Sequence, residues 1–185
     1  TITASGAIGD DVVGGDDLAD ITGATVNLQA DAGGIGQTNG SLDVNATVQL
    51  NADTTADNSD IAIDDPVDDM PLGLVATDDT YDTADLTTLV GTVTLNALSG
   101  SIVDANDDPA TGTVNANIIA DALDAEANLY IGRVHNQDVK LDPEDVGYTG
   151  DPIETETVNI SAVTTAADAE ISIDMVDSSD ALHGN

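Results

Sequence analysis

Thr25-Val-Asn-Leu-Gln-Ala30 decides the fold, because it returns as Thr47-Val-Gln-Leu-Asn-Ala52, Thr92-Val-Thr-Leu-Asn-Ala97 and Thr157-Val-Asn-Ile-Ser-Ala162. Within each copy apolar and polar residues alternate, the period-two pattern of a strand with one face buried. Successive copies start 22, 45 and 65 residues apart, close to one, two and three units of about 22. Taken on the Leu/Ile position, the register is Leu28, Leu50, Leu72, Leu95, Ile118, Leu141 and Ile160, with gaps of 22, 22, 23, 23, 23 and 19 residues. A period of this size marks a solenoid, in which one unit cannot bury its own apolar face but stacked units can.

Further series keep the same frame. Leu50 and Ala52 are followed by Ile61 and Ile63, Ile118 and Ala120 by Leu129 and Ile131, and Ile160 and Ala162 by Ile171 and Ile173, each time 11 residues on. Leu28-Gln-Ala30 leads to Gly33-Gly34-Ile35, and Leu95-Asn-Ala97 leads to Gly100-Ser101-Ile102. Ile2-Thr-Ala4-Ser-Gly6-Ala-Ile8 is a shortened copy of the same pattern. Thr, Val and Ile favour strands, and the Gly and Asp clusters between them favour turns. Ile118 to Leu129 has the composition of a short helix but keeps the frame, so strands are expected there.

The fold expected is all-β: a parallel, right-handed β-helix solenoid with coils of about 22 residues, with a β-sandwich as the alternative. One all-β repeat domain spans 1–185. Segments 64–91 and 133–156 interrupt the repeat, hold Pro66, Pro71, Pro143 and Pro152, and are expected to be loop insertions.

Charge narrows the function. The chain has 36 acidic residues against two basic ones, Arg133 and Lys140, for a net charge of −34. Nucleic-acid binding needs a basic face, and this chain cannot build one. Substrates held through phosphate or carboxylate are disfavoured for the same reason, no Gly-x-Ser-x-Gly elbow occurs, and an enzyme is not expected. Charge of this size with few aromatics suggests disorder, but 41% of residues are apolar and they fall in short Val/Ile/Leu clusters. No apolar run is long enough to form a transmembrane segment. Thr1 to Gly6 lacks the charged start and apolar region of a signal peptide, so secretion implies a removed leader or a longer parent chain. Self-repulsion at −34 is relieved by salt or divalent cations, conditions met outside cells or inside a salt-accumulating halophile, and an extracellular or cell-surface location is expected.

Val26-Asn-Leu-Gln-Ala-Asp-Ala-Gly-Gly-Ile-Gly36, Gly40-Ser-Leu-Asp-Val-Asn-Ala-Thr-Val-Gln-Leu-Asn-Ala52, Asp60-Ile-Ala-Ile63 and Asn128-Leu-Tyr-Ile131 together resemble the filamentous-haemagglutinin-like repeats of large bacterial surface adhesins. The likeness lies in 22–63 and 92–131, and in part in 157–173, about half of the chain. The resemblance implies a right-handed β-helix, secretion, and a role in adhesion or as a stalk.

Asp clusters are the only dense sets of functional groups. Hard cations take six to eight oxygens, so weak calcium sites are expected among Asp10, Asp11, Asp16, Asp17, Asp64, Asp65, Asp68, Asp69, Asp104, Asp107 and Asp108. Asp78, Asp79 and Asp82 form a similar group. None of them has EF-hand spacing. Calcium is the one cofactor expected. His135 and His183, 48 residues apart without Cys, do not suggest zinc. Arg133, His135 and Lys140 stand close in sequence and suit a contact with the acidic surface or with a neighbouring subunit.

The function expected is a segment of a surface adhesin or a subunit of an extracellular fibre, with a cation-bridged acidic surface. The alternative is a calcium-dependent binding module for a cell-surface glycan or protein. Open ends of a solenoid leave backbone groups unpaired, so self-association is expected, end to end or by strand donation from Thr1 to Ile8. A cell-surface or matrix ligand is the other partner in view.

Overall fold

The computed structural model describes residues 1–9, 18–36, 40–54, 59–77, 90–106, 116–132, 152–167 and 169–175. In chain order its strands are β1 (Ile2–Ala4), β2 (Ile21–Ala30), β3 (Leu42–Thr54), β4 (Ile61–Asp65), β5 (Met70–Ala76), β6 (Thr92–Ala97), β7 (Ile102–Asp104), β8 (Ile118–Ile119), β9 (Ala122–Ala127), β10 (Ile153–Glu156), β11 (Asn159–Thr164) and β12 (Ile173–Met175). No helix occurs among the described residues, and Ile118 to Leu129 forms β8 and β9 rather than a helix. Every strand pairing is parallel, which excludes the antiparallel β-sandwich for these residues.

The strands join into one curled sheet with a central path β11-β9-β6-β4-β3-β5-β8-β10-β12. The long β3 is where the sheet turns. Leu42 and Asp43 at its start pair with β4, whereas its later residues pair with β2 and β5. Alternation then does what the sequence implies: β6 and β9 bury every second residue, Val93, Leu95 and Ala97 lying beside Leu123, Ala125 and Ala127. The inward residues of successive strands form one apolar cluster, built from Ala, Val, Ile and Leu with Met70.

Two isoleucine stacks are built alike. Ile8, Ile35 and Ile61 form one through isolated parallel bridges, and Ile102, Ile131 and Ile171 form the other. In the first, Ile35 N–H donates to Asp60 O at 3.0 Å, Gly36 N–H to Ile8 O at 2.7 Å and Ala62 N–H to Ile35 O at 2.8 Å. In the second, Ile131 N–H donates to Glu170 O at 3.2 Å, Gly132 N–H to Ile102 O at 2.8 Å and Ser172 N–H to Ile131 O at 2.8 Å. Each middle isoleucine is followed by a left-handed glycine, Gly36 at φ 78° and Gly132 at φ 76°. A Cβ on Gly36 would lie 1.9 Å from Ala62 O, and one on Gly132 would lie 1.9 Å from Ser172 O. The corner admits no side chain.

The shortened copy at the start of the chain pairs with the pattern it resembles: Ile2 with Leu28, Ala4 with Ala30, and Ile8 with Ile35. The uniform 22- to 23-residue register does not hold throughout. Leu50 pairs with Leu72 as the frame implies, but Leu28 pairs with Ala52, and Val26 takes Leu50. That displacement of two residues follows a register shift between Gly23 and Thr25 and leaves the same side chains facing inward. Leu95 and Ile160 belong to a different ladder from Leu72 and Ile118, since they pair with Ile63 and Leu123. Segment 64–91 contains β5, which pairs with β3, β7 and β8. Its residues 78–89, Leu141 and residues 133–151 lie outside the described ones.

Two outcomes test this packing. Gly36→Ala should destabilise the fold by more than about 1 kcal/mol in urea unfolding, because it adds both a strained φ and a backbone clash. Ile61→Ala, in the middle of its stack, should cost about 2–5 kcal/mol, while Ile160→Ala on the last rung should cost less than half of that. Equal losses at Ile61 and Ile160 would contradict the stacked packing.

Candidate functional site: the acidic turns and the amide row

β4 carries Ile61, Ile63 and Asp65 at alternate positions, so Asp65 points into the interior with the isoleucines. Its neighbour on β6 is Ala97, smaller than Val93 and Leu95 beside Ile61 and Ile63, which leaves room for a carboxylate. Asp65 Oδ1 accepts from Val67 N–H at 2.9 Å and Asp68 N–H at 3.2 Å, and so shapes the turn into β5. Oδ2 is buried without a hydrogen-bond partner. Burial raises the Asp65 pKa above 3.8. The turn N–H groups pull it back, and the negative charges of Asp68 and Asp69 add to the rise.

The neighbouring acids bind β6 or the residues flanking it through one oxygen each. Asp60 Oδ1 accepts from Thr92 N–H at 2.8 Å, Asp64 Oδ1 from Asn96 Nδ2 at 2.6 Å, and Asp69 Oδ1 from Ser101 N–H at 2.7 Å. All three bonds join residues 32 apart, the offset at which β4 pairs with β6. These carboxylates therefore work as acceptors for donors in the adjoining strand and its flanks. Asp68 and Asp69 are exposed, and Asp64 is half-buried.

Asp104 belongs to a separate network centred on Asn117, which is fully buried. Asp104 Oδ1 accepts from Asn106 N–H at 2.8 Å and Asn117 Nδ2 at 2.5 Å. Asn117 Nδ2 also reaches Leu72 O at 3.2 Å and Gly73 O at 3.3 Å, while its Oδ1 accepts from Glu154 N–H at 3.0 Å. One amide thus ties β5, the last residue of β7 and β10 together. The Asp clusters gave no hint of it. The available signal was a polar residue immediately before the apolar Ile118-Ile119-Ala120.

A row of amides crosses the outer face of β2 and β3. Asn51 Nδ2 donates to Asn27 Oδ1 at 2.9 Å, and Asn51 Oδ1 accepts from Leu74 N–H at 2.9 Å. That second bond serves an N–H at the register shift where Leu50 pairs with Leu72 but Ala52 with Val75. Above the row lies a groove of about 350 Å³ lined by Thr1, Asn27, Gln29, Asn51, Asp53 and Leu74.

The sequence candidates are thus divided. Asp64, Asp65, Asp68 and Asp69 share one turn, and Asp104 stands elsewhere, in the Asn117 network. Asp10, Asp11, Asp16, Asp17, Asp107 and Asp108 lie outside the described residues, as do Asp78, Asp79, Asp82, Arg133, His135, Lys140 and His183. Among the described residues, no three His, Cys, Asp or Glu side chains are grouped so as to hold a metal ion. No helix there is long and apolar enough to cross a membrane. No protein-family model, curated protein or solved structure matches the chain.

Asp65 gives a pH prediction with a definite sign. Its folded pKa is raised, so the folded state holds this proton to higher pH than the unfolded state does. Its contribution to stability is greatest at low pH and is lost as pH rises from 3.8 through the raised value. Asp65→Asn keeps the Oδ1 acceptor and cannot ionise. Between about pH 4 and about pH 7 its stability relative to wild type should therefore climb, as read by urea unfolding at each pH. A difference that stays flat over that range would remove the buried charge from the account.

Proposed function

We propose that this chain is a stretch of right-handed parallel β-helix that serves as a structural, adhesive part of an extracellular protein, either a surface adhesin or a fibre. The observation that supports this most is the pair of isoleucine stacks. Ile8-Ile35-Ile61 and Ile102-Ile131-Ile171 repeat the same hydrogen bonds and the same glycine corner. A unit that recurs in this way adds length without new design, which suits a stalk or fibre better than an enclosed active site. The right hand follows from the strong preference of crossover connections between parallel strands.

The resemblance to filamentous-haemagglutinin-like repeats supports the surface location, and so does the charge of −34, which is best tolerated where salt or divalent cations screen it. Exposed carboxylates such as Asp68 and Asp69 would supply weak, shared calcium contacts in that setting. Immunogold labelling of intact source cells with antibody to the chain should place gold on the outer surface or along extracellular filaments. Gold found only after permeabilisation would overturn the reading.

A further inference from the structure

Four of the five prolines follow an aspartate, in Asp65-Pro66, Asp108-Pro109, Asp142-Pro143 and Asp151-Pro152. An Asp-Pro bond is a weak point of a peptide chain in acid. The carboxyl stands beside its own main-chain carbonyl, and the proline nitrogen, which carries no N–H, leaves readily once protonated. Asp65-Pro66 is the one of these bonds whose two residues both lie among the described ones.

There the fold holds the groups that cleavage needs. Asp65 Oδ1 accepts from Val67 N–H at 2.9 Å and from Asp68 N–H at 3.2 Å. Each of those bonds closes a ring through Asp65 C and Pro66 N, so the carboxyl is folded back over the bond between them. Asp65 Oδ2 has no hydrogen-bond partner, although Asp65 is only 1% exposed. That oxygen is neither solvated nor tied down. The carbonyl beside it is fixed as well, since Asp65 O accepts from Leu98 N–H at 2.9 Å. Such an N–H stabilises the negative charge that gathers on a carbonyl oxygen when its carbon is attacked. On the far side of the bond Ser99 Oγ donates to Pro66 O at 3.0 Å. Pro66 is half-buried and Val67, Asp68 and Asp69 are exposed, so water reaches the turn. The charges that act on Asp65 are those of Asp68 and Asp69, and β6 places Ala97 beside it.

We propose that Asp65-Pro66 is a self-cleavage site, at which the chain cuts its own backbone in acid. Asp65 Oδ2 forms a bond to Asp65 C, and the bond from that carbon to Pro66 N breaks. The carboxyl proton passes to Pro66 N, which leaves as the amino terminus of a new chain. Asp65 is left as a cyclic anhydride, and a water molecule opens it to two carboxylic acids. Nothing is oxidised or reduced, and the net reaction is hydrolysis into residues 1–65 and 66–185. The two pieces stay paired through β3 with β5 and β4 with β6, so the cut nicks the structure without dividing it. This activity is separate from the structural role proposed above and does not depend on it.

The test holds the 185-residue chain with EDTA at about pH 5, above the ordinary Asp pKa of about 3.9. Circular dichroism follows the fold, and mass spectrometry after denaturation reads the fragments. Fragments 1–65 and 66–185 should form at least about tenfold faster in the folded chain than in urea at the same pH, because only the fold holds the carboxyl over the bond. Before denaturation the nicked chain should elute from a sizing column as the uncut chain does. Asp65→Asn keeps the Oδ1 acceptor, and Pro66→Ala keeps the carboxyl with both of its turn bonds. Each should abolish the two fragments while leaving the circular dichroism spectrum unchanged. Cleavage in the folded chain no faster than in urea, or cleavage at the wild-type rate in either variant, would overturn the proposal.

Discussion

Everything in this curled sheet depends on how closely neighbouring backbone segments approach at Gly36 and Gly132. At both places a backbone carbonyl, Ala62 O or Ser172 O, lies 1.9 Å from where a Cβ would be. That closeness lets Ile35 and Ile131 bond through both N–H and C=O to the segment that follows, while the N–H of Gly36 and of Gly132 bonds to Ile8 O and Ile102 O on the segment before. The isoleucines are then fixed in line, and the strands that follow are launched from the same place. In each case the first residue of the next strand lies beside the glycine: Leu42 N is 2.7 Å from the Gly36 Cβ position, and Ile153 N is 2.8 Å from that of Gly132. Between glycine and strand the first connection is short, and the second contains residues 133–152. The corner is constant while the chain between corners varies.

This division explains which parts of the fold were legible. Loop length costs little entropy once the ends are held, so the spacing between paired residues can range from 20 for Ile153 and Ile173 to 43 for Val75 and Ile118. A search for a fixed period therefore finds the strands but assigns some of them to the wrong ladder. Thr92 to Ala97 and Thr25 to Ala30 share a hexapeptide yet belong to different ladders. Alternation reports which face is buried, and any inward-facing Val-x-Leu-x-Ala satisfies either ladder equally. Ile2-Thr-Ala4 and Ile8 were placed correctly because their connection is nearly the length of the one they copy.

The polar groups were harder to assign. Asp64 and Asp69 looked like members of a cation-binding cluster because they are neighbours in sequence, and Asp60 stands just before them. Each bonds to a donor 32 residues away, and that partner becomes visible only when β4 and β6 are aligned. Asp65 carried a readable signal, since Ile61-x-Ile63-x-Asp65 puts it on the inward face by parity. Asn117 had less of one. A lone Asn before an apolar run has no partner in sequence, and its bonds reach back to Leu72 and forward to Glu154. Such residues replace the ladder bonds that a register shift or a strand end would otherwise leave unmade.

Charge and stacking are largely kept apart in this molecule. Asp65 is the inward exception on β4; Asp60, Asp64 and Asp69 accept from the strand beside them or its flanks, and the main cluster of buried side chains is aliphatic. Each further paired strand therefore adds apolar burial, and the acidic residues around it add repulsion that salt can screen. Hydrophobic contact between rungs acts only at van der Waals distance, whereas repulsion between whole molecules acts over the screening length. The charge of −34 therefore bears on how this molecule meets others, while the aliphatic interior bears on how the one chain holds together.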